Sequence, residues 1–167
     1  MNGSLDVPQV AWNAELTPVD HLIRGATVHG QHLAVVDGDL RQTYDELLDE
    51  CGRQAGALAS LGVEAGDRVA VLAPNTSILL QAHYSVPMAG AVLVALNTRL
   101  AAHEIAAIVE HSGAELVIID EELLPKAQEV QVRVMPAGEF RELASRAPFL
   151  QRPVTDERSL VSMNYTS

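Results

Sequence analysis

Residues 68–99, RVAVLAPNTSILLQAHYSVPMAGAVLVALNTR, alternate between two kinds of hydrophobic pattern. Val69, Ala70, Val71, Leu72 and Ala73 form a short unbroken apolar run, the pattern of a strand buried on both faces. Pro74 ends it. Asn75 is placed to cap the next helix, since its side-chain oxygen can accept from a free backbone N–H at the helix start. Ile78, Leu79, Ala82 and Val86 then recur at helical spacing. Pro87 removes a backbone donor and Gly90 tolerates left-handed geometry, so the helix kinks or stops there. Ala91 to Leu96 is a second apolar run. Strand, helix and strand in this order make a parallel βαβ crossover, right-handed by default.

The flanking sequence extends the same scheme. Residues 1–16 carry no periodicity and are expected to form a flexible N-terminal arm, with Trp12 pinning it to the body. Thr17-Pro18-Val19-Asp20 reads as a helix start, and Val19, Leu22, Ile23 and Ala26 give that helix an apolar face. Leu33 to Val36 is a strand, Asp37-Gly38 a turn, and Arg41 to Tyr44 the returning strand of a hairpin. Thr43 and Glu46 form a capping box for a helix from Tyr44 to Leu61, closed by Gly62. Beyond Arg99 a helix is expected from about Ala102 to Ser112, with Ala101 where a Ser or Thr cap would be worth about 1 kcal/mol. Leu116 to Ile119 is a third buried strand, Leu123 to Gln128 a weak helix and Val130 to Val134 a fourth strand. A helix over Glu139 to Ser145 and a polar connection over Pro148 to Arg158 lead to a last strand from Ser159 to Tyr165. The expected fold is α/β: a mostly parallel βαβ sheet with helices on both faces and an N-terminal β-hairpin.

Composition narrows the function classes. With 167 residues, 48% of them hydrophobic, the chain can bury a real core. Eleven Lys and Arg against 22 Asp and Glu leave a net charge of −11, a field that disfavours nucleic acid and anionic membrane surfaces. No run approaches the roughly 20 apolar residues of a membrane span. Cys51 is the single cysteine. It lies on the apolar stripe of its helix, as a core residue rather than a nucleophile, and fits a reducing compartment; a cytoplasmic location is expected. None of the six histidines pairs at i, i+3 or i, i+4 on an expected helix, so no metal site is expected. His83, inside the central helix, reads as structural. Neither GxGxxG nor GxxxxGK[ST] is present. No catalytic residue is expected within the chain.

The ordered set RQTYDELL, LGVEAGDRVAVLAPN, AGAVLVALNTRL, EIAAIVEHSGAELVIID and SLVSMNYTS, spanning Leu33 to Ser167, resembles the N-terminal region of the adenylate-forming (AMP-binding) superfamily. It is most similar to the AMP-forming fatty and aromatic acyl-CoA ligases. The resemblance implies that residues 17–167 are the N-terminal part of an AMP-binding domain, truncated at the start of its phosphate loop. That loop has the form TSGTTGxPKG, so Thr166 and Ser167 would be its first two residues and would face ATP phosphates, which suit convergent donors. The parent enzyme would use ATP, CoA and Mg²⁺ to activate a fatty or aromatic carboxylic acid. Its glycines, lysine and later motifs are absent from the sequence, so the fragment alone is expected to be inactive, to bind no cofactor, and to self-associate through uncovered apolar surface. Two alternatives stay open: a piece of a peptide-synthetase adenylation domain, and a truncated non-enzymatic binding or structural module.

Overall fold

Local chemistry starts the first elements, as the computed structural model, which describes residues 16–154 and 156–165, makes plain. Helix α1 runs Pro18–His29, and the Asp20 carboxylate accepts from both the Thr17 N–H and the Thr17 hydroxyl at 2.7 Å. Strands β1 (Leu33–Asp37) and β2 (Leu40–Thr43) pair antiparallel as the expected hairpin. Helix α2 (Tyr44–Ser60) opens with the Thr43/Glu46 capping box and ends at Gly62, whose φ of +92° needs no Cβ.

The remaining strands form one five-stranded sheet in the order β6-β5-β3-β4-β7, with every pairing parallel. Its strands are β3 (Arg68–Leu72), β4 (Val92–Ala95), β5 (Ala114–Ile119), β6 (Arg133–Pro136) and β7 (Ser162–Asn164). Val69, Val71, Val92, Val94, Val117 and Ile119 are all buried on the three neighbouring central strands. Alternation across the pleat sends Val69, Val71 and Leu93 into one core, shared with α1, α2, α3 (Ser77–Met88) and α5 (Ala137–Arg146). Ala70, Leu72 and Val94 enter a second core against α4 (Ala102–Ser112). Helices therefore cover both faces, and each fully buried Val or Leu contributes about 1.5–3 kcal/mol. No helix among the described residues is long and apolar enough to cross a membrane.

Several boundaries differ from expectation, each for a physical reason. The cap of α3 is Thr76 rather than Asn75, and neither side chain bonds the helix start. Asp37, from the tip of the hairpin, accepts from the Ser77 N–H at 2.7 Å instead. A capping carboxylate 40 residues away leaves no local signal. Residues 121–127 form a 3₁₀ segment rather than an α-helix, because Pro125 has no N–H to donate to the Glu121 carbonyl. β6 begins at Arg133, not Val130, where register with Leu116 of β5 is reached. β7 is confined to Ser162–Asn164. The end of α3 is as expected: the helix stops at Met88, one residue past Pro87, and Gly90 follows in the left-handed region at φ +75°. Ala101 starts α4 without a side-chain cap, yet Glu104 still accepts from the Ala101 N–H at 2.8 Å. The expected arm lies outside the described residues except for Leu16.

A strap closes the domain. After α5 the chain crosses from the β6 edge to the β7 edge over the back of α2. The Leu150 N–H donates to the Gly52 carbonyl at 2.9 Å, and the Arg152 N–H to the Met88 carbonyl at 2.8 Å. Gly52 and Gly56 lie one helical turn apart, under Phe149 and the Pro148 carbonyl respectively. Without side chains there, the strap sits directly on the helix backbone.

Candidate functional site

A parallel sheet brings the carboxyl ends of its strands to one edge, and adjacent connections that leave to opposite faces open a crevice there. Here α3 leaves β3 toward one core and α4 leaves β4 toward the other. The connections thus part between β3 and β4, and β7 ends beside that point through the Ala95–Asn164 register. The rim of this edge comprises Pro74–Thr76, Asn97–Arg99, Asp120 and Tyr165.

Hydrogen bonds hold this rim from below. The Asn97 side-chain oxygen accepts from the Arg99 N–H at 2.9 Å. The Lys126 ammonium donates to the Thr98 carbonyl at 2.5 Å and the Leu100 carbonyl at 2.9 Å, fixing the turn after β4. Asp120 accepts from the Glu122 N–H at 3.1 Å, starting the 3₁₀ segment. Tyr165, the residue after β7's last rim position, meets His111 of α4: its hydroxyl lies 2.8 Å from Nδ1, with the rings edge-on at 85°.

Two carboxylates with lowered pKa values cap helix starts. Asp37 is held below the ordinary carboxylate range, first by the Ser77 N–H and then by the Ser77 hydroxyl. Glu121 is lowered by the Gly138 N–H, which it accepts at 2.6 Å. Both stay ionised as caps. Burial pushes the Cys51 thiol far up, with Glu50 adding to the shift, so it is no nucleophile. His83 is exposed and places Nδ1 2.8 Å from the Leu79 carbonyl. His29 and His32 stack at 5.2 Å, but no group of three or more metal-ligating side chains comes together among the described residues. Two clefts flank β4 and β7, of about 600 and about 740 Å³. Val161 and Pro87 line both; Tyr84 and Leu93 wall the first, Arg152 and Leu160 the second.

The side-chain bonds at this edge go to the backbone of the same turns: Asn97 and Asp120 accept from N–H groups, and Lys126 donates to carbonyls. Thr166 and Ser167, the two residues expected to contact phosphate, lie outside the described residues. The structure carries the chain to their neighbour Tyr165, just past the carboxyl end of β7 beside β4. The His111–Tyr165 contact had no signal in the sequence, since 54 residues separate the partners.

The family model described as "AMP-binding enzyme" matches residues 22–167. The peroxisomal butyrate–CoA ligase AAE11 of Arabidopsis thaliana is 39% identical over 124 residues, covering 74% of this chain and 22% of the relative. The peroxisomal benzoate–CoA ligase of the same plant is 39% identical over 117 residues, covering 70% and 20%. The N-terminal domain of FACL13 from Mycobacterium tuberculosis superposes with a TM-score of 0.80 at 30% identity, over 89% of this chain and 41% of that one. The chain spans about a fifth of the length of the curated relatives it matches.

Proposed function

The chain belongs to the AMP-binding enzyme family, and on that premise we propose that it is the N-terminal part of an ATP-dependent acid:CoA ligase. The whole enzyme joins a carboxylate to AMP with loss of pyrophosphate, then passes the acyl group to the CoA sulfur. The observation that carries this reading is the delivery of Tyr165 to the carboxyl edge beside β4. From there Thr166 and Ser167 begin a loop whose hydroxyl and N–H donors meet charge developing on the phosphates. The acid is fatty or aromatic, as the butyrate and benzoate relatives suggest. Among the described residues no group of three or more His, Cys, Asp or Glu side chains comes together, so no Mg²⁺ ligand is assigned among them.

The segment of 167 residues catalyses neither step by itself. Several converging donors are needed to hold a triphosphate against water, and it brings two hydroxyls at position 166 and 167. The buried, unpaired Cys51 supports a reducing, cytoplasmic location, although the two relatives above are peroxisomal.

The test is thioester formation by the full-length gene product, given ATP, Mg²⁺, CoA and a panel of short fatty and aromatic acids. Mass spectrometry should find an acyl-CoA from at least one acid, and changing both Thr166 and Ser167 to Ala should remove most of it. A full-length product that forms no thioester with any member of the panel would overturn the reading.

A further inference from the structure

His29 is the last residue of α1, and His32 immediately precedes β1. Spacing within one helix excludes this pair, because α1 ends between them. The turn that follows brings them together all the same. The His32 N–H donates to the His29 carbonyl at 2.7 Å, and the two imidazoles lie 5.2 Å apart, centre to centre, with planes inclined by 18°. The start of α2 pins this turn from the other side. The Tyr44 N–H donates to the His32 carbonyl at 3.1 Å and the Asp45 N–H to the Gly30 carbonyl at 3.0 Å. The Asp45 carboxylate lies against Gly30, where a Cβ would overlap both of its oxygens, and it accepts from the Gln31 amide at 2.8 Å.

A neutral imidazole nitrogen suits Zn²⁺, Ni²⁺ and Cu²⁺. Metal–nitrogen bonds of about 2.0–2.1 Å at a tetrahedral angle put two ring centres about 5 Å apart. The observed separation already has that value. Convergence of both nitrogens on one ion then needs only a turn of the two rings, and both side chains are exposed. The surroundings favour a cation. The carbonyl end of α1 carries negative partial charge at His29, Asp45 adds a full charge beside the turn, and the chain as a whole carries −11.

We propose that His29 and His32 form a two-histidine surface site for one divalent transition ion, Cu²⁺ more tightly than Ni²⁺ or Zn²⁺, with water completing the coordination and Asp45 supplying charge from beside the turn. Two protein ligands make a weak, exchangeable site, where a structural site takes four. No residue of the carboxyl edge takes part, and the ligase reading does not enter.

The test is titration of the 167-residue chain with Cu²⁺ alone, followed by ¹⁵N correlation spectra and by calorimetry. Paramagnetic broadening should begin at residues 29–33 and 44–46, before the surroundings of His21, His83, His103 and His111 are affected, and Zn²⁺ should shift the same signals. His29→Gln and His32→Gln should each weaken Cu²⁺ binding about tenfold or more, as loss of one of two ligands demands, and His83→Gln should leave it unchanged. Asp45→Asn should weaken it about two- to fivefold through the lost charge; an unchanged affinity there removes Asp45 from the site. Loss on only one of the two histidine substitutions means a single-histidine contact and overturns the chelate. Broadening that begins elsewhere, or equally at every histidine, marks an adventitious ion only and overturns the proposal, as does an affinity untouched by both substitutions. Should a variant fail to fold, the broadening pattern of the wild-type chain decides.

Discussion

Replacing Gly56 with alanine tests the strap that carries the chain across α2 to the β7 edge. A Cβ at Gly56 would overlap the Pro148 carbonyl oxygen and stand 3.1 Å from the Pro148 carbonyl carbon. The obstacle is backbone, and it is tied on both sides: the Ala147 N–H donates to Ala144 at 3.0 Å and the Leu150 N–H to Gly52 at 2.9 Å. Overpacking costs about 1–3 kcal/mol, and against a tethered backbone obstacle the upper part of that range, about 2–3 kcal/mol, applies. Against it stands the helix propensity of alanine, worth about 1 kcal/mol over glycine inside a helix. The net expectation is a destabilisation of about 1–2 kcal/mol. With an m-value of about 2 kcal/mol per molar urea, the midpoint falls by roughly 0.5–1 M. Gly52→Ala provides the control. The three atoms nearest its Cβ all belong to the Phe149 ring, a side chain 47% exposed with solvent to turn into. The propensity gain and the lost ring contact should nearly cancel, leaving the midpoint within about 0.3 M of wild type. Urea unfolding followed by circular dichroism reads both. A Gly56→Ala chain more stable than wild type, as propensity alone demands, would refute the close seating of the strap.

Three further outcomes are expected. Asp37 has its carboxyl pKa lowered from 3.8 by the Ser77 N–H, so its contribution is complete above about pH 5 and lost as pH falls through the native value; the Tm gap between wild type and Asp37→Asn should be widest at neutral pH and close in acid, and a gap constant with pH would contradict the cap. Cys51 is fully buried, so Ellman's reagent at pH 8 should label it only as fast as the domain opens, with denaturant accelerating the reaction; rapid labelling of the native chain would contradict its burial. The exposed Leu33, Val36 and Leu160 side chains and the outer edge of β7 should drive concentration-dependent association in sedimentation velocity, and a monodisperse monomer at millimolar concentration would count against it.

The central sheet was legible in the sequence because its signals are local. Unbroken runs such as 69–73 and 91–96 and the glycines at 62 and 113 lie within a few residues of what they determine. The interactions between elements were not legible. Gln54 stands on the apolar stripe of α2 yet donates to the Gln81 side chain of α3 at 2.8 Å, and Gln81 donates to Gln42 of the hairpin at 3.0 Å. These amides, the Asp37 cap, the glycines under the strap and the His111–Tyr165 pair all depend on partners distant in sequence, and no periodicity encodes them. The rim of the carboxyl edge was half legible: the strand ends follow from the runs, but the grip of Lys126 on the turn after β4 needs the folded chain.

Acid-dependent exchange of radiolabelled pyrophosphate into ATP tests most directly whether this segment begins an adenylating enzyme. The full-length gene product should catalyse exchange with at least one fatty or aromatic acid, and the 167-residue chain should catalyse none at millimolar ATP. Exchange by the 167-residue chain itself, or its absence from the full-length product across the panel, would contradict the account.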